Sequence, residues 1–274
     1  MVDVEGRSYR RSLLELPGAP ALTDSERRDV PRGTLARQRV TSEHLGNTRD
    51  VDVYLPHADH GAPRALLIVF DGVAFTHTVA TPTILDNLQA EGRIPPTAAI
   101  FVDSKGNLRN RELPCHAPFA RFVAEELHPR VEPWCGASLP AERTVLAGAS
   151  YGGVAAAYVA RSAPQRFGNV LSMSGSYWVK GDGSDDDDSF GWLPRRYAEE
   201  ERHPLRFHLN IGLYEEGSRL FSDAPEQLGI NRRMREVLDA RGYALSYREY
   251  AGGHDWICWE QELPGALEWV LGGA

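Results

Sequence analysis

Cysteine is scarce in this chain, with three residues in 274. Cys115, Cys135 and Cys258 form no Cys-x-x-Cys pair and are too few for a disulfide framework, so small stapled scaffolds are excluded and buried thiols are expected. Long apolar runs are missing too: none reaches the length that spans a bilayer, and membrane insertion is not expected. A basic surplus is absent. With 30 Lys and Arg against 38 Asp and Glu the formal charge is −8, which argues against nucleic acid as a partner because phosphate binding needs a basic surface. Asp3, Glu5, Arg7, Arg10 and Arg11 near the start are followed by no apolar core of signal-peptide type, so cytoplasmic residence is the expectation. No internal repeat occurs, and the nine histidines show no His-x-x-x-His ligand spacing, so no metal cofactor is expected.

What the chain does have is regular alternation of strand and helix patterns at 42% hydrophobic content, which points to a single α/β domain with a mostly parallel central sheet and helices on both faces. Residues 1–36, with Pro17, Pro20 and Pro31 and scattered charge, read as an extended lead-in to a domain over 37–274. Val40 to His44 and Val51 to Leu55 suggest a hairpin turning at Leu45 to Arg49. Ala65 to Phe70 is a continuous apolar run suited to a strand buried on both faces, and Ala98 to Val102 and Val170 to Ser174 are read the same way. Further strands are expected at Arg206 to Ile211 and Ala244 to Tyr250. Helices are expected at Thr81 to Glu91, Phe119 to Val131, Asn231 to Ala240 and Leu263 to Leu271. Asp182 and the run Asp185 to Asp188 lie in a Gly/Ser-rich segment that reads as a solvated loop.

The organising stretch is Arg143 to Gly153, a β-branched and apolar strand that runs into an Ala-rich helix ending near Arg161. Between them stands Gly148-x-Ser150-x-Gly152, a nucleophile elbow. Serine on so sharp a turn takes a strained backbone conformation, with neighbours lacking Cβ, and its hydroxyl is raised toward a substrate. The N–H of Tyr151, at the start of the helix, is a candidate oxyanion donor. Reactive groups of such sheets gather at the carboxyl ends of strands. Four positions meet that condition: Asp71-Gly72-Val73, Ser150, Glu215-Glu216 and His254.

Their chain order, nucleophile then acid then base, is that of α/β-hydrolases. His254, after Gly252-Gly253, is the candidate base that takes the proton of Ser150 Oγ. Glu215 is the first choice for the acid, with Glu216 and Asp223 as alternatives, whereas Asp255 points elsewhere on an extended backbone. The second oxyanion donor is assigned to the backbone N–H of Val73, after the third strand.

Phe70-Asp71-Gly72, Arg109-x-x-Glu112-Leu-Pro-Cys115, the elbow itself, Arg166-Phe-Gly168 with Ser174-Gly-Ser-Tyr-Trp178, and Gly252-Gly-His254-Asp255 with Cys258-Trp259 follow one another in one order. Together they resemble the catalytic domain of the enterochelin (ferric enterobactin) esterases, within the putative-esterase branch of the α/β-hydrolases. The resemblance spans Pro31 to the C-terminus. It implies an α/β-hydrolase fold, a Ser150–His254 pair with a carboxylate matching Glu215, no cofactor, and hydrolysis of the ester bonds of a catechol-type siderophore trilactone through an acyl-Ser150 intermediate, with iron arriving bound to that small-molecule substrate. By the same resemblance Arg109 matches a family arginine near the active site. It is a candidate contact to anionic catecholates, with a structural salt bridge to Glu112 as the competing account.

Tyr177 and Trp178 are candidates for an aromatic wall against a catechol ring, with core packing as the alternative for Trp178. Members of this type carry a large N-terminal domain, of which only Leu14 to Pro20 resembles a remnant, and the acidic segment has no counterpart. Other acyl-transfer chemistry on the same elbow, such as a feruloyl-type esterase, a thioester hydrolase or an acyltransferase, shares the acyl-serine step. A silent siderophore-binding module is the reading from a different class.

Overall fold

In the chain's central strands both residue parities are apolar, which suits a sheet covered on its two faces. The structure, a computed structural model, describes residues 2–4, 7–9, 22, 24–181, 191–215 and 226–272. The acidic run at 185–188, Leu14 to Pro20, Glu216 and Asp223 lie outside the described residues.

Strands β1 (Val2–Val4) and β2 (Arg7–Tyr9) pair with each other. The main sheet then begins with the hairpin of β3 (Thr34–Ser42) and β4 (Asn47–Leu55). Next come β5 (Ala65–Phe70), α1 (Gly72–His77), α2 (Thr81–Ala90), β6 (Thr97–Val102) and three short helices, α3 (Arg109–Glu112), α4 (Ala117–Arg121) and α5 (Val131–Cys135). They are followed by β7 (Thr144–Ala149), α6 (Tyr151–Ser162), β8 (Asn169–Met173), α7 (Trp192–Glu199), β9 (Arg206–Gly212), α8 (Gln227–Ala240), β10 (Ala244–Tyr250) and α9 (Trp256–Leu271).

The eight-stranded sheet runs β10-β9-β8-β7-β5-β6-β4-β3. Only β4 opposes its neighbours; from β6 to β10 every pairing is parallel. Alternation along each strand divides the core in two. Leu66, Ile68 and Phe70 face the layer that holds α6, whereas Ala65, Leu67 and Val69 face the layer closed by α2 and α9. The chain leaves β5 toward β6 and returns to add β7 on the other side. The crevice at the carboxyl ends of β5 and β7 is therefore a topological switch point, where open α/β sheets place their ligands.

Several expectations change: α8 starts at Gln227, ahead of Asn231, and the first hairpin strand at Thr34, ahead of Val40. The hairpin turns at residues 43–46, not at Leu45 to Arg49, because Arg37 pairs with Asp52 and Arg39 with Asp50 across strands that are longer than their apolar parts. The helix expected over Phe119 to Val131 is broken into α4, a π-helical stretch (Phe122–Leu127), a 3-10 turn (His128–Arg130) and α5. Pro129 offers no N–H to the ladder and its ring crowds the preceding turn, which breaks regular α geometry there. The apolar face survives the break, since Phe119, Phe122, Val123, Leu127 and Val131 are all buried. Lastly, α9 starts at Trp256, well ahead of Leu263, because Asp255 accepts a hydrogen bond from Ile257 N and caps it.

Candidate active site

Ser150 stands between β7 and α6 with φ 57° and ψ −120°, a conformation that costs energy for any residue with a side chain. The close approach that creates the bend admits only glycine at position 148: a Cβ there would meet the carbonyl carbon of Gly152 at 2.5 Å. Ser150 O accepts from the N–H groups of Gly153 and Val154, so the N–H of Tyr151 precedes the first bond of the helix ladder. The loop after β5 repeats this layout. Asp71 takes φ 58° and ψ 44°, its carbonyl accepts from Ala74 and Phe75, and the N–H of Val73 precedes the ladder of α1. Both sequence-assigned oxyanion donors thus lie at starts of helices that follow adjacent parallel strands.

Glu215 directly follows β9 and its side chain is fully enclosed. Its Oε1 accepts from the Ser174 hydroxyl at 2.7 Å and from Gly212 N at 3.0 Å, and its Oε2 lies 2.7 Å from His254 Nδ1. A carboxylate in this place holds the imidazole proton on Nδ1 and leaves Nε2 as the proton acceptor. Trp259 packs its ring edge-on to His254 at 4.9 Å and donates from Nε1 to Ser174 Oγ at 3.0 Å. His254 itself is 28% exposed and so reachable from the crevice. Asp255 points away as a helix cap, in accord with the sequence reading.

Ser150 Oγ lies 3.2 Å from Ser176 Oγ, and among the described residues it makes no hydrogen bond to His254. The loop after β8 joins the two halves of the site. Ser176 N donates to Ser150 O, Ser150 N donates to Met173 O, and Ser174, at φ 47°, bonds Glu215. Sequence reasoning missed Ser174 and Ser176, although the strand-end rule that selected Ser150 and Glu215 applies equally to β8.

Of the other candidates, Arg109 forms a two-pronged pair with Asp71, Nε to Oδ1 and Nη2 to Oδ2 both at 2.7 Å, and its guanidinium lies 5.3 Å from the centre of the Tyr151 ring. The salt bridge considered with Glu112 is replaced: Glu112 accepts from Arg49 and Asn47, deep in the core. Tyr177 is fully buried and Trp178 is 4% exposed, with its Nε1 donating to Gln227, so core packing accounts for both and neither ring forms a wall of the open crevice. Tyr214, 75% exposed beside Glu215, together with Val73 and Leu213, presents the apolar surface on this edge. Burial pushes the Cys258 thiol up and so disfavours its thiolate, partly offset by a bond from Gly253 N.

A sheet of this order, with a strained serine after β7 and a carboxylate–imidazole pair after β9 and β10, defines an α/β-hydrolase. The profile of the family described as putative esterase matches residues 42–270, and the chain belongs to that family. It is 35% identical to the iron(III) enterobactin esterase of Dickeya dadantii over 96% of this chain and 62% of that protein. Identity to the iron(III) enterobactin esterase of Escherichia coli K12 is 30%, over 96% of this chain and 63% of that one. The crystal structure of the Shigella flexneri enterobactin esterase in the presence of enterobactin superposes with a TM-score of 0.81 at 29% identity, covering 94% of this chain and 64% of that one. The chain therefore spans just under two thirds of the length of these relatives.

Proposed function

We propose that this chain is a serine esterase that opens a catecholate siderophore trilactone of the enterobactin type, with Ser150, His254 and Glu215 as its catalytic triad. The observation that carries the reading is the enclosed Glu215 carboxylate 2.7 Å from His254 Nδ1, on the sheet edge that bears the Ser150 elbow. Ser150 Oγ rests against Ser176 Oγ, and its bond to His254 Nε2 is expected to form when substrate displaces that resting contact.

Ser150 Oγ then attacks the ester carbonyl while His254 Nε2 takes its proton. The N–H groups of Val73 and Tyr151 receive the charge that develops on the carbonyl oxygen. Collapse of the tetrahedral intermediate breaks the ester C–O bond, and the proton passes from His254 to the departing seryl alcohol. Water, deprotonated by His254, releases the second product from Ser150.

The likeness to iron(III) enterobactin esterases supports the substrate class. So does the rim, where the exposed Tyr214 ring, Leu213 and Val73 offer apolar surface for catecholate rings. Three thiols without a disulfide, Cys115, Cys135 and Cys258, accord with a reducing cytoplasm as the place of iron release. The test is incubation with ferric and iron-free trilactone, followed by mass analysis. Linear trimer, dimer and monomer fragments are expected, and their loss in Ser150→Ala ties them to this site. Turnover of simple aryl esters alone would assign a different carboxylesterase, and unchanged turnover in Ser150→Ala would refute the enzyme.

A further inference from the structure

We infer that Asp71 is a positioning residue that sets the distance between the two oxyanion donors, acting through Arg109 and the Tyr151 ring; this rests on the serine-esterase reading above. The last residue pair of the β5–β7 ladder is Val69 with Ala147, and Val73 and Tyr151 each lie four positions beyond it. Sheet hydrogen bonds therefore do not fix the two N–H groups relative to each other.

The side chains supply that link. Asp71 opens the Val73 loop in a left-handed conformation, is 7% exposed, and grips both prongs of Arg109 at 2.7 Å. Arg109 lies over the ring of Tyr151, whose other neighbour, Trp178, is held by Gln227. Asp71 also reaches the elbow directly: a Cβ on Gly152 would sit 3.4 Å from its Oδ2. Charge adds a second reason for the pair. An unpaired carboxylate here would repel the developing oxyanion, and the guanidinium cancels it.

The experiment compares wild type, Asp71→Asn and Arg109→Lys on 4-nitrophenyl acetate, a neutral ester that has no catecholate for Arg109 to bind. Asparagine tolerates the left-handed conformation, so the first variant removes charge without straining the turn. Lysine keeps charge but loses the fork. A donor displaced by about an ångström costs about 10–100-fold. The expected result is a fall of that size in kcat with KM within about threefold, matched by an equal loss of affinity for phenylboronic acid, which adds to Ser150 as a tetrahedral oxyanion mimic. A thermal midpoint near that of wild type separates this from general unfolding; should Asp71→Asn be unstable, Arg109→Lys carries the comparison. Wild-type kcat and boronate affinity in both variants, or a defect confined to KM for catecholate esters, overturns the inference and leaves the esterase intact. A wild type that hydrolyses no ester defeats the functional reading first.

Discussion

At the residue scale the decisive contact is Glu215 with His254, because it fixes which imidazole nitrogen can accept a proton. Glu215→Gln tests this without changing shape. The amide oxygen still receives Gly212 N–H and the Ser174 hydroxyl, so its NH2 group faces His254 Nδ1 in place of Oε2. Two donors cannot share that contact, so the imidazole proton moves to Nε2 and Ser150 loses its acceptor. Turnover of a neutral aryl ester is expected to fall about 10³–10⁴-fold in kcat with little change in KM, while the thermal midpoint stays close to wild type. An effect below about tenfold would show that His254 works without an orienting carboxylate. The proposed acid was only partly legible beforehand. Its strand-end position nominated Glu215, but Glu216 stood one residue away, and no sequence pattern states which of two neighbours turns inward to meet Ser174.

At the scale of elements, the elbow depends on how tightly helices follow strands. Gly72 opens α1 against the backbone of β6, and a Cβ there would meet the Phe101 carbonyl carbon at 2.6 Å and Val102 N at 2.8 Å. A strand backbone in the middle of a sheet cannot withdraw, so α1 must move instead, and the Val73 N–H moves with it. Gly72→Ala is therefore expected to lower both the thermal midpoint and kcat, by about 1–3 kcal/mol in stability and at least tenfold in rate. Equilibrium denaturation and aryl-ester kinetics on one preparation check the two effects together.

The second element-scale feature is the pair of Arg49 on β4 with Glu112 of α3, both enclosed, with the guanidinium 4.9 Å from the Phe122 ring centre. Removing one member strands the other charge, so Glu112→Ala is expected to cost about 3–5 kcal/mol, read as a lower denaturation midpoint. The sequence offered Arg109 as the natural partner of Glu112 by its i,i+3 spacing, because a tie across 63 positions leaves no local pattern. The central strand β5 was legible from its apolar run and the edge strand β10 from its alternating one. The polar edge strand β3 and the broken α4–α5 segment were not, since their limits are set by cross-strand ion pairs and by Pro129.

For the whole molecule, one source of pH dependence lies outside the crevice. His208 on β9 is 5% exposed, lies beside Trp269 of α9 with ring centres 6.0 Å apart, and has no hydrogen-bond partner on either ring nitrogen among the described residues. Burial, assisted by the nearby positive charge of Arg248, lowers its pKa to about 4. The unfolded imidazole titrates near the ordinary value of about 6.5. Native protein therefore carries this histidine neutral while the unfolded chain takes up a proton, and stability must fall as pH drops from about 6.5 toward 4, flattening once both states are protonated. The separation corresponds to at most about 3 kcal/mol. Net charge acts in the opposite sense over the upper part of this window: the formal charge of −8 shrinks toward the isoelectric point near 5.6, which relieves self-repulsion. A loss of stability between pH 6.5 and 5.6 thus points to a buried base and not to general charge repulsion. His208→Phe, which keeps a ring beside Trp269 and removes the titrating nitrogens, is expected to flatten the dependence of the denaturation midpoint on pH across that range, and an unchanged slope would assign the loss to another group.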